Sequence, residues 1–300
     1  MAEAEINGFA MHYEDVGTGD VLAFIHGNFP CLGYALNPAD SPSRWPWASF
    51  ADDLRFITYD RRGCYGSACP PTGYALTNQA DDLAGLLDHV GIDQAHLMGS
   101  SAGGPIALAF SARYPARVSS LVLVGTAVDM WRPLEGDEVE PLLRYLIDLL
   151  DGEGPQASLD ARPPETEASI EALYSLQEWI ERGQVDEQRA RREAWRSAAA
   201  STPREMKLAY HLAELESYRA YFADDARQHA RSVRCPTLVL HGENDRMVPL
   251  AWGKETATLI EGAELVVVPE RSHGLLVYSP EARSTALEFV RSHKTGGRDQ

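Results

Sequence analysis

The five residues Gly99-Ser100-Ser101-Ala102-Gly103 place a serine where its hydroxyl can act as a nucleophile. The apolar run Ala95–Met98 before them reads as a strand, and the small apolar stretch from Ala102 reads as a helix. A serine on so sharp a strand-to-helix turn has its oxygen pushed out above the sheet. Gly99 and Gly103 lack the side chains that would collide there. A serine hydroxyl is a weak nucleophile at neutral pH and needs a base. Of the nine histidines, His273 in Arg271-Ser272-His273-Gly274 follows the last strand and precedes the C-terminal helix, at the same carboxyl edge of the sheet as Ser101. His89 and His96 fall within a helix and a strand, and His211 and His229 within a long helical stretch. An imidazole acting as base needs a carboxylate to fix its tautomer and stabilise the imidazolium. Asp245 is the leading candidate, reached from the strand Thr237–Leu240 through His241-Gly242-Glu243-Asn244; Glu243 and Asp129 stay open as alternatives. Charge developing on a tetrahedral intermediate needs preorganised N–H donors. The N–H of Ala102, at the helix start, is one. The turn His26-Gly27-Asn28-Phe29-Pro30 supplies the other, the backbone N–H of Asn28, unless His26-Gly27 is merely a turn around a buried imidazole.

These residues need a frame that brings strand ends together. The first segment reads as a hairpin, with Asn7-Gly8 as a type I′ turn between Ala4–Ile6 and Phe9–Glu14. Short apolar runs follow at Val21–Ile25, Phe56–Tyr59, Ala95–Met98, Leu121–Val124, Thr237–Leu240 and Leu265–Val268. Runs this apolar over so few residues suit strands buried on both faces of a parallel sheet. Helical patterns lie between them at Asn78–Val90, Ala102–Arg113, Trp252–Ile260 and Pro280–Val290. Alternating strand and helix predicts an open α/β sheet. From about Val128 to Val233 no strand-like run occurs; helices are expected at Pro141–Leu150, Thr166–Arg182, Asp186–Ala200 and Arg204–Arg227, with breaks at Gly152, Gly154 and Pro163-Pro164. The expected organisation is a core of residues 1–127 and 234–300 interrupted by an all-helical insertion of residues 128–233.

Composition narrows the partners. The chain has 44% hydrophobic and 24% charged residues and a formal net charge of −17. A nucleic-acid protein needs a cationic face to release counterions, and so does a protein docking on anionic lipid. No run approaches the length of a membrane helix, and Met1-Ala2-Glu3-Ala4-Glu5 lacks the basic, apolar start of a signal peptide. Cys31, Cys64, Cys69 and Cys235 show no zinc-like spacing and read as reduced thiols of a cytoplasmic protein. No HExxH or dinucleotide fingerprint is present. A cytoplasmic protein without nucleic-acid or membrane partner, metal or cofactor is the expectation; oligomeric state is not legible.

His26-Gly27-Asn28, Asp60-Arg61-Arg62-Gly63-Cys64-Tyr65-Gly66-Ser67, the serine elbow, Leu240–Pro249 and Ser272-His273-Gly274 together resemble the α/β-hydrolase superfamily. The resemblance spans nearly the whole core, and the order Ser101…Asp245…His273 is the one that fold uses. It implies a hydrolase core with a mostly parallel sheet and a helical cap over the site, and no particular substrate. Two positions depart from the family: Phe29 separates Asn28 from Pro30, where His-Gly-x-Pro is common, and Cys64 stands where His or Tyr is common, as a packing residue. Relatives that open epoxides or remove halides use Asp at the elbow, so Ser101 favours acyl transfer to serine and then to water. The expected substrate is a small to medium apolar ester or lactone. The aromatic loop from Phe29 to Pro46 and Trp131 in the cap, Phe29 and Trp131 foremost, are expected to border the pocket. Two alternatives remain: carbon–carbon hydrolysis of a dienoate-type ketone, with Arg132, Arg144 or Arg192 as the cation, and a non-catalytic ligand binder of the same fold.

Overall fold

The computed structural model describes residues 2–27, 46–130, 139–163 and 200–293, with isolated helical positions at Asp186, Ala190, Glu193 and Ser197. Eight strands form one sheet: β1 (Ala2–Ile6), β2 (Phe9–Val16), β3 (Val21–Ile25), β4 (Arg55–Tyr59), β5 (Ala95–Ser100), β6 (Val118–Val124), β7 (Thr237–Gly242) and β8 (Glu264–Val268). Their spatial order is β1-β2-β4-β3-β5-β6-β7-β8. β1 and β2 form the antiparallel hairpin that Asn7-Gly8 predicts, with φ of +48° and +83° at its two turn residues. β2 also runs antiparallel to β4, and every other pair is parallel. The fold class is therefore α/β with a mostly parallel sheet, as the alternation of elements requires.

Side chains of successive strand residues point to opposite faces, and the core divides accordingly. Ala23, Ile25, Ile57, Leu97, Leu121, Leu123 and Val239 pack on one face with helices α1 (Leu76–His89) and α2 (Gly103–Arg113). Leu22, Phe24, Phe56, Met98, Val122, Val124, Leu238 and Leu240 pack on the other with Phe50, Leu275, Leu276 and Phe289. Because both faces are covered, the central strands carry the unbroken apolar runs seen in the sequence.

Between β6 and β7 every described element is a helix: α3 (Val139–Glu153), α4 (Pro155–Ala161), α5 (Arg204–Ala223) and α6 (Arg227–Ser232). Leu143, Leu146, Ile147, Leu215 and Tyr218 make a small separate core there. Val128, Tyr221, Ala226, Ala230 and Val233 instead join the main cluster against the sheet. α3 runs through Gly152, and the break comes at Gly154, whose φ of +91° starts α4 with Pro155 in its first turn. The helix expected over Thr166–Arg182 lies outside the described residues; Asp186 and Ser197, inside the expected Asp186–Ala200 helix, are helical. Helices α7 (Leu250–Leu259), α8 (Leu275–Tyr278) and α9 (Pro280–Ser292) complete the fold. No helix among the described residues is long and apolar enough to cross a membrane.

Candidate active site

The parallel register aligns the carboxyl ends of the central strands: Ile25 opposite Gly99, Ser100 opposite Val124, Val124 opposite Leu240, and Gly242 opposite Val268. The residues just past those ends therefore meet in one cleft edge, whatever their separation in sequence. Ser101 leaves β5 with a φ of +49°, a left-handed conformation that a non-glycine residue enters only at a cost. Its surroundings hold it there. Its N–H donates to Val124 O (2.9 Å), and its carbonyl accepts from the Gly104 N–H (2.9 Å) and the Thr126 hydroxyl (2.6 Å). The turn is possible because α2 starts against the end of β3: a Cβ on Gly103 would lie 2.2 Å from Ile25 O.

His273 Nε2 lies 3.0 Å from Ser101 Oγ, and its Nδ1 lies 2.9 Å from Asp245 Oδ2. Asp245 can only accept, so Nδ1 carries the proton and Nε2 is left free to take the serine's. The carboxylate is itself fixed, its Oδ1 accepting from the N–H groups of Met247 (3.0 Å) and Val248 (2.9 Å). Burial works against a charged His273, but the Asp245 charge and hydrogen bond outweigh it and raise its pKa above the usual imidazole value. Behind the acid, buried His241 donates to Val248 O (2.8 Å), and burial lowers its pKa. Among the described residues it is Asp245 that meets His273. Glu243 instead accepts from the Glu270 N–H (3.1 Å), and Asp129 faces Arg227 (3.4 Å).

The opposite wall is the turn after β3. A Cβ on Gly27 would lie 2.8 Å from Ser101 Cβ, so this position must be glycine for the backbone to approach the serine. His26 is buried, as the alternative reading of this turn expects; its Nδ1 donates to Gly27 O (2.8 Å), and its Nε2 accepts from the Arg61 N–H (3.2 Å). Burial, then the nearby Arg61 charge, holds its pKa well below the ordinary value, which keeps it neutral. Ala102, buried, caps the N-terminus of α2. Asn28, Phe29 and Trp131 lie outside the described residues. Cys64 is buried, with its thiol pushed up to about 12 by burial, which keeps it protonated.

Two neighbours of the site had no clear sequence signal. Arg61 lies in the Asp60-Arg61-Arg62-Gly63 run, but nothing in its type says that it turns inward while Arg62 pairs with Asp82 on α1 at 2.7 Å. Tyr221, on α5, donates its hydroxyl to the carbonyl of Ala102. Only the folded chain brings it within reach. Among the described residues no group of three or more His, Cys, Asp or Glu side chains could hold a metal ion. A serine, a base raised by a buried carboxylate and a helix N-terminus meeting at one point can attack an electrophilic carbonyl and stabilise the resulting anion.

Residues 20–280 match the family model described as the alpha/beta hydrolase fold, and the chain belongs to that family. It is 26% identical over 290 residues to a non-heme haloperoxidase of Rhodococcus erythropolis, covering 95% of this chain and 97% of that one. It is 27% identical over 276 residues to a 2-hydroxy-6-oxo-2,4-heptadienoate hydrolase of Pseudomonas putida, covering 89% and 87%. Among solved structures, a thermophilic esterase from Thermogutta terrifontis superposes with a TM-score of 0.69 at 25% identity, covering 98% of this chain and 99% of the other.

Proposed function

We propose that this member of the α/β hydrolase fold family is a serine hydrolase that cleaves a small to medium apolar carboxylic ester or lactone through an acyl-enzyme. The observation that carries the reading is the unbroken chain of contacts from Ser101 Oγ through His273 to Asp245. Ser101 Oγ attacks the carbonyl carbon and passes its proton to His273 Nε2. The Ala102 N–H and the Asn28 N–H receive the charge that forms on the carbonyl oxygen. His273 then gives the proton to the departing alkoxide, and a water activated by the same nitrogen releases the acid. Residues 128–233 act as a cap that closes over the substrate, with Phe29 and Trp131 at its pocket. The thermophilic esterase, aligned over nearly its whole length, supports ester cleavage.

A second reading, hydrolysis of a carbon–carbon bond, has one observation in its favour: the likeness to the Pseudomonas putida dienoate hydrolase. It needs a cation in the pocket. Arg144 is poorly suited to that, since its guanidinium bonds Glu140 (2.7 Å) and stacks over the Phe222 ring at 4.2 Å. Arg132 and Arg192 lie outside the described residues.

The experiment is a panel of nitrophenyl esters of rising acyl length, lactones and dienoate ketones, run beside labelling with a serine-directed phosphonate. The expected result is turnover of esters or lactones and labelling at Ser101 alone. Preference for the dienoate ketone would favour the second reading. No turnover of any, without labelling, would make the protein a ligand binder.

A further inference from the structure

His241, next to the end of β7, is fully buried and takes no part in the triad. Its ring is nevertheless placed with care on both sides. Nε2 lies 2.8 Å from Val248 O and 3.6 Å from Asp245 Oδ2, the oxygen that meets His273. A carbonyl only accepts, so Nε2 carries the proton and Nδ1 is left as a lone pair. Nδ1 is buried and, among the described residues, has no hydrogen-bond partner. On that side α7 comes so close that a Cβ on Gly253 would lie 2.3 Å from Nδ1. The ring is thus wedged between the loop that carries Asp245 and a helix that makes room for it with a glycine. Burial keeps it neutral, and the charges that act on it are those of Asp245 and His273.

Packing alone does not call for such a residue. An unpaired polar atom in the interior is a loss that an apolar side chain of similar size avoids. What only a donor can supply here is the bond to Val248 O, and Val248 closes the loop of the acid. The N–H groups of Val248 (2.9 Å) and Met247 (3.0 Å) are the donors to Asp245 Oδ1. The side chain of Asp245 is wholly shielded from water, and its other oxygen faces His273 Nδ1 at 2.9 Å. Anchoring Val248 therefore fixes which way the carboxylate is turned. The same Nε2–H, too far from Oδ2 for a hydrogen bond, still brings the positive end of its dipole near the anion.

We propose that His241 is a positioning residue for catalysis: its Nε2–H anchors Val248 and so holds Asp245 with Oδ1 on the Met247 and Val248 N–H groups and Oδ2 on His273. This rests on the acyl-enzyme reading above. The pairing of Asp245 with His273 matters most when the imidazole takes the serine's proton, so a loosened carboxylate lowers kcat far more than it raises KM.

The test compares His241→Gln, whose amide N–H can stand where Nε2–H does, with His241→Leu, which keeps much of the volume without a donor. For each, kcat and KM on a nitrophenyl ester, the acidic limb of kcat/KM against pH, and the melting temperature are measured. His241→Leu is expected to lower kcat on the order of tenfold, less than loss of the carboxylate itself. KM should stay within about threefold. Its acidic limb should move to lower pH, because a carboxylate that meets His273 poorly raises that imidazole less against burial. His241→Gln should keep the parent's limb and hold kcat within about threefold. A merely structural histidine would lower the melting temperature and leave kcat per folded molecule and the limb alone. A folded His241→Leu with the parent's kcat overturns the proposal, as does a slower one whose limb stays or moves upward, or a Gln variant as slow as the Leu variant. Should His241→Leu fail to fold, Gly253→Ala drives a methyl group against Nδ1 and displaces the ring. A fall in kcat of about threefold or more with the limb at lower pH is then expected, and the parent's kcat and limb overturn the proposal. Full activity in Ser101→Ala would instead remove the acyl-enzyme reading itself, an outcome that no His241 variant can produce.

Discussion

Among the described residues, two serine–histidine contacts invite comparison: a part-buried one at the carboxyl edge of the sheet and a buried one among the helices between β6 and β7. Ser101 meets His273 at 3.0 Å, and Ser158 meets His211 at 2.9 Å. What stands behind each imidazole separates them. Behind His273 is a carboxylate, which accepts the Nδ1 proton and raises the pKa. Behind His211 is the Arg162 guanidinium, whose Nη1 donates to Nδ1 at 3.2 Å. That ring must then carry its proton on Nε2 and donate it to Ser158, whose own hydroxyl donates to Leu146 O (2.7 Å). Burial first, and Arg162 second, bring the His211 pKa down to about 4. The first ring can take a serine's proton; the second already holds one where it would have to land. A serine–histidine distance is thus no sign of a nucleophile until the third group is known.

The sharpest break of this comparison is a pair of deletions. Ser101→Ala is expected to cut turnover by roughly 10⁴-fold or more at unchanged fold, while Ser158→Ala leaves kcat within about twofold. Loss of activity from Ser158→Ala in a folded protein would mean that the second pair does chemistry.

Next in size is the third group itself. Asp245→Asn should cost at least about a hundredfold in kcat, as substitutions that favour the wrong tautomer do in triads; Asp129→Asn should cost less than about tenfold. His273 must be neutral to act as base, so activity falls as pH drops through its pKa. Asp245 holds that pKa above the ordinary value, which places the acidic limb above it too. Without the carboxylate only burial acts on the ring, and the limb should move to lower pH. A limb that moves upward, or Asp129→Asn proving the slower variant, reverses the assignment of the acid.

The helical pair answers to a stability measurement instead. Ser158→Ala strands the buried His211 N–H, at about 1–3 kcal/mol by denaturant unfolding. The smallest effect should come from the solvated ion pairs of the same region. Arg204 and Asp160 meet at 2.6 Å with side chains 58% and 60% exposed, and Arg204→Ala should cost less than about 1 kcal/mol. A larger loss would show that the surface of these helices is held as firmly as the sheet edge.

How much of this the sequence disclosed follows the same division. Apolar runs bounded by turn residues marked six of the strands, most plainly those covered on both faces, which have no polar alternation to confuse with a helix, and the Asn7-Gly8 turn marked the β1–β2 hairpin. Ser101, Asp245 and His273 were legible because each follows a strand, and parallel register turns "after a strand" into a shared place. Between β6 and β7 that rule is absent. Helix α4 was not anticipated, and Gly152 looked like a break but is absorbed in the last turn of α3. Nothing about Ser158 and His211, far apart in the chain, announces that they meet. The contacts of Arg61 were not legible either, since they depend on Gly27 O, His26 and Tyr221 arriving from other elements. Asn28, Phe29 and Trp131 carry the parts of the reading that the described residues leave for experiment.

The left-handed backbone at Ser101 has a consequence for how this protein can change. At φ of +49° a glycine would be relaxed where serine is not, and the difference is on the order of 1 kcal/mol or more. Selection for thermal endurance alone would therefore drift toward Ser101→Gly, a hardier chain without the proposed nucleophile. On the acyl-enzyme reading proposed above, a serine at this position trades endurance for reactivity. A library screened only on melting temperature would undo it.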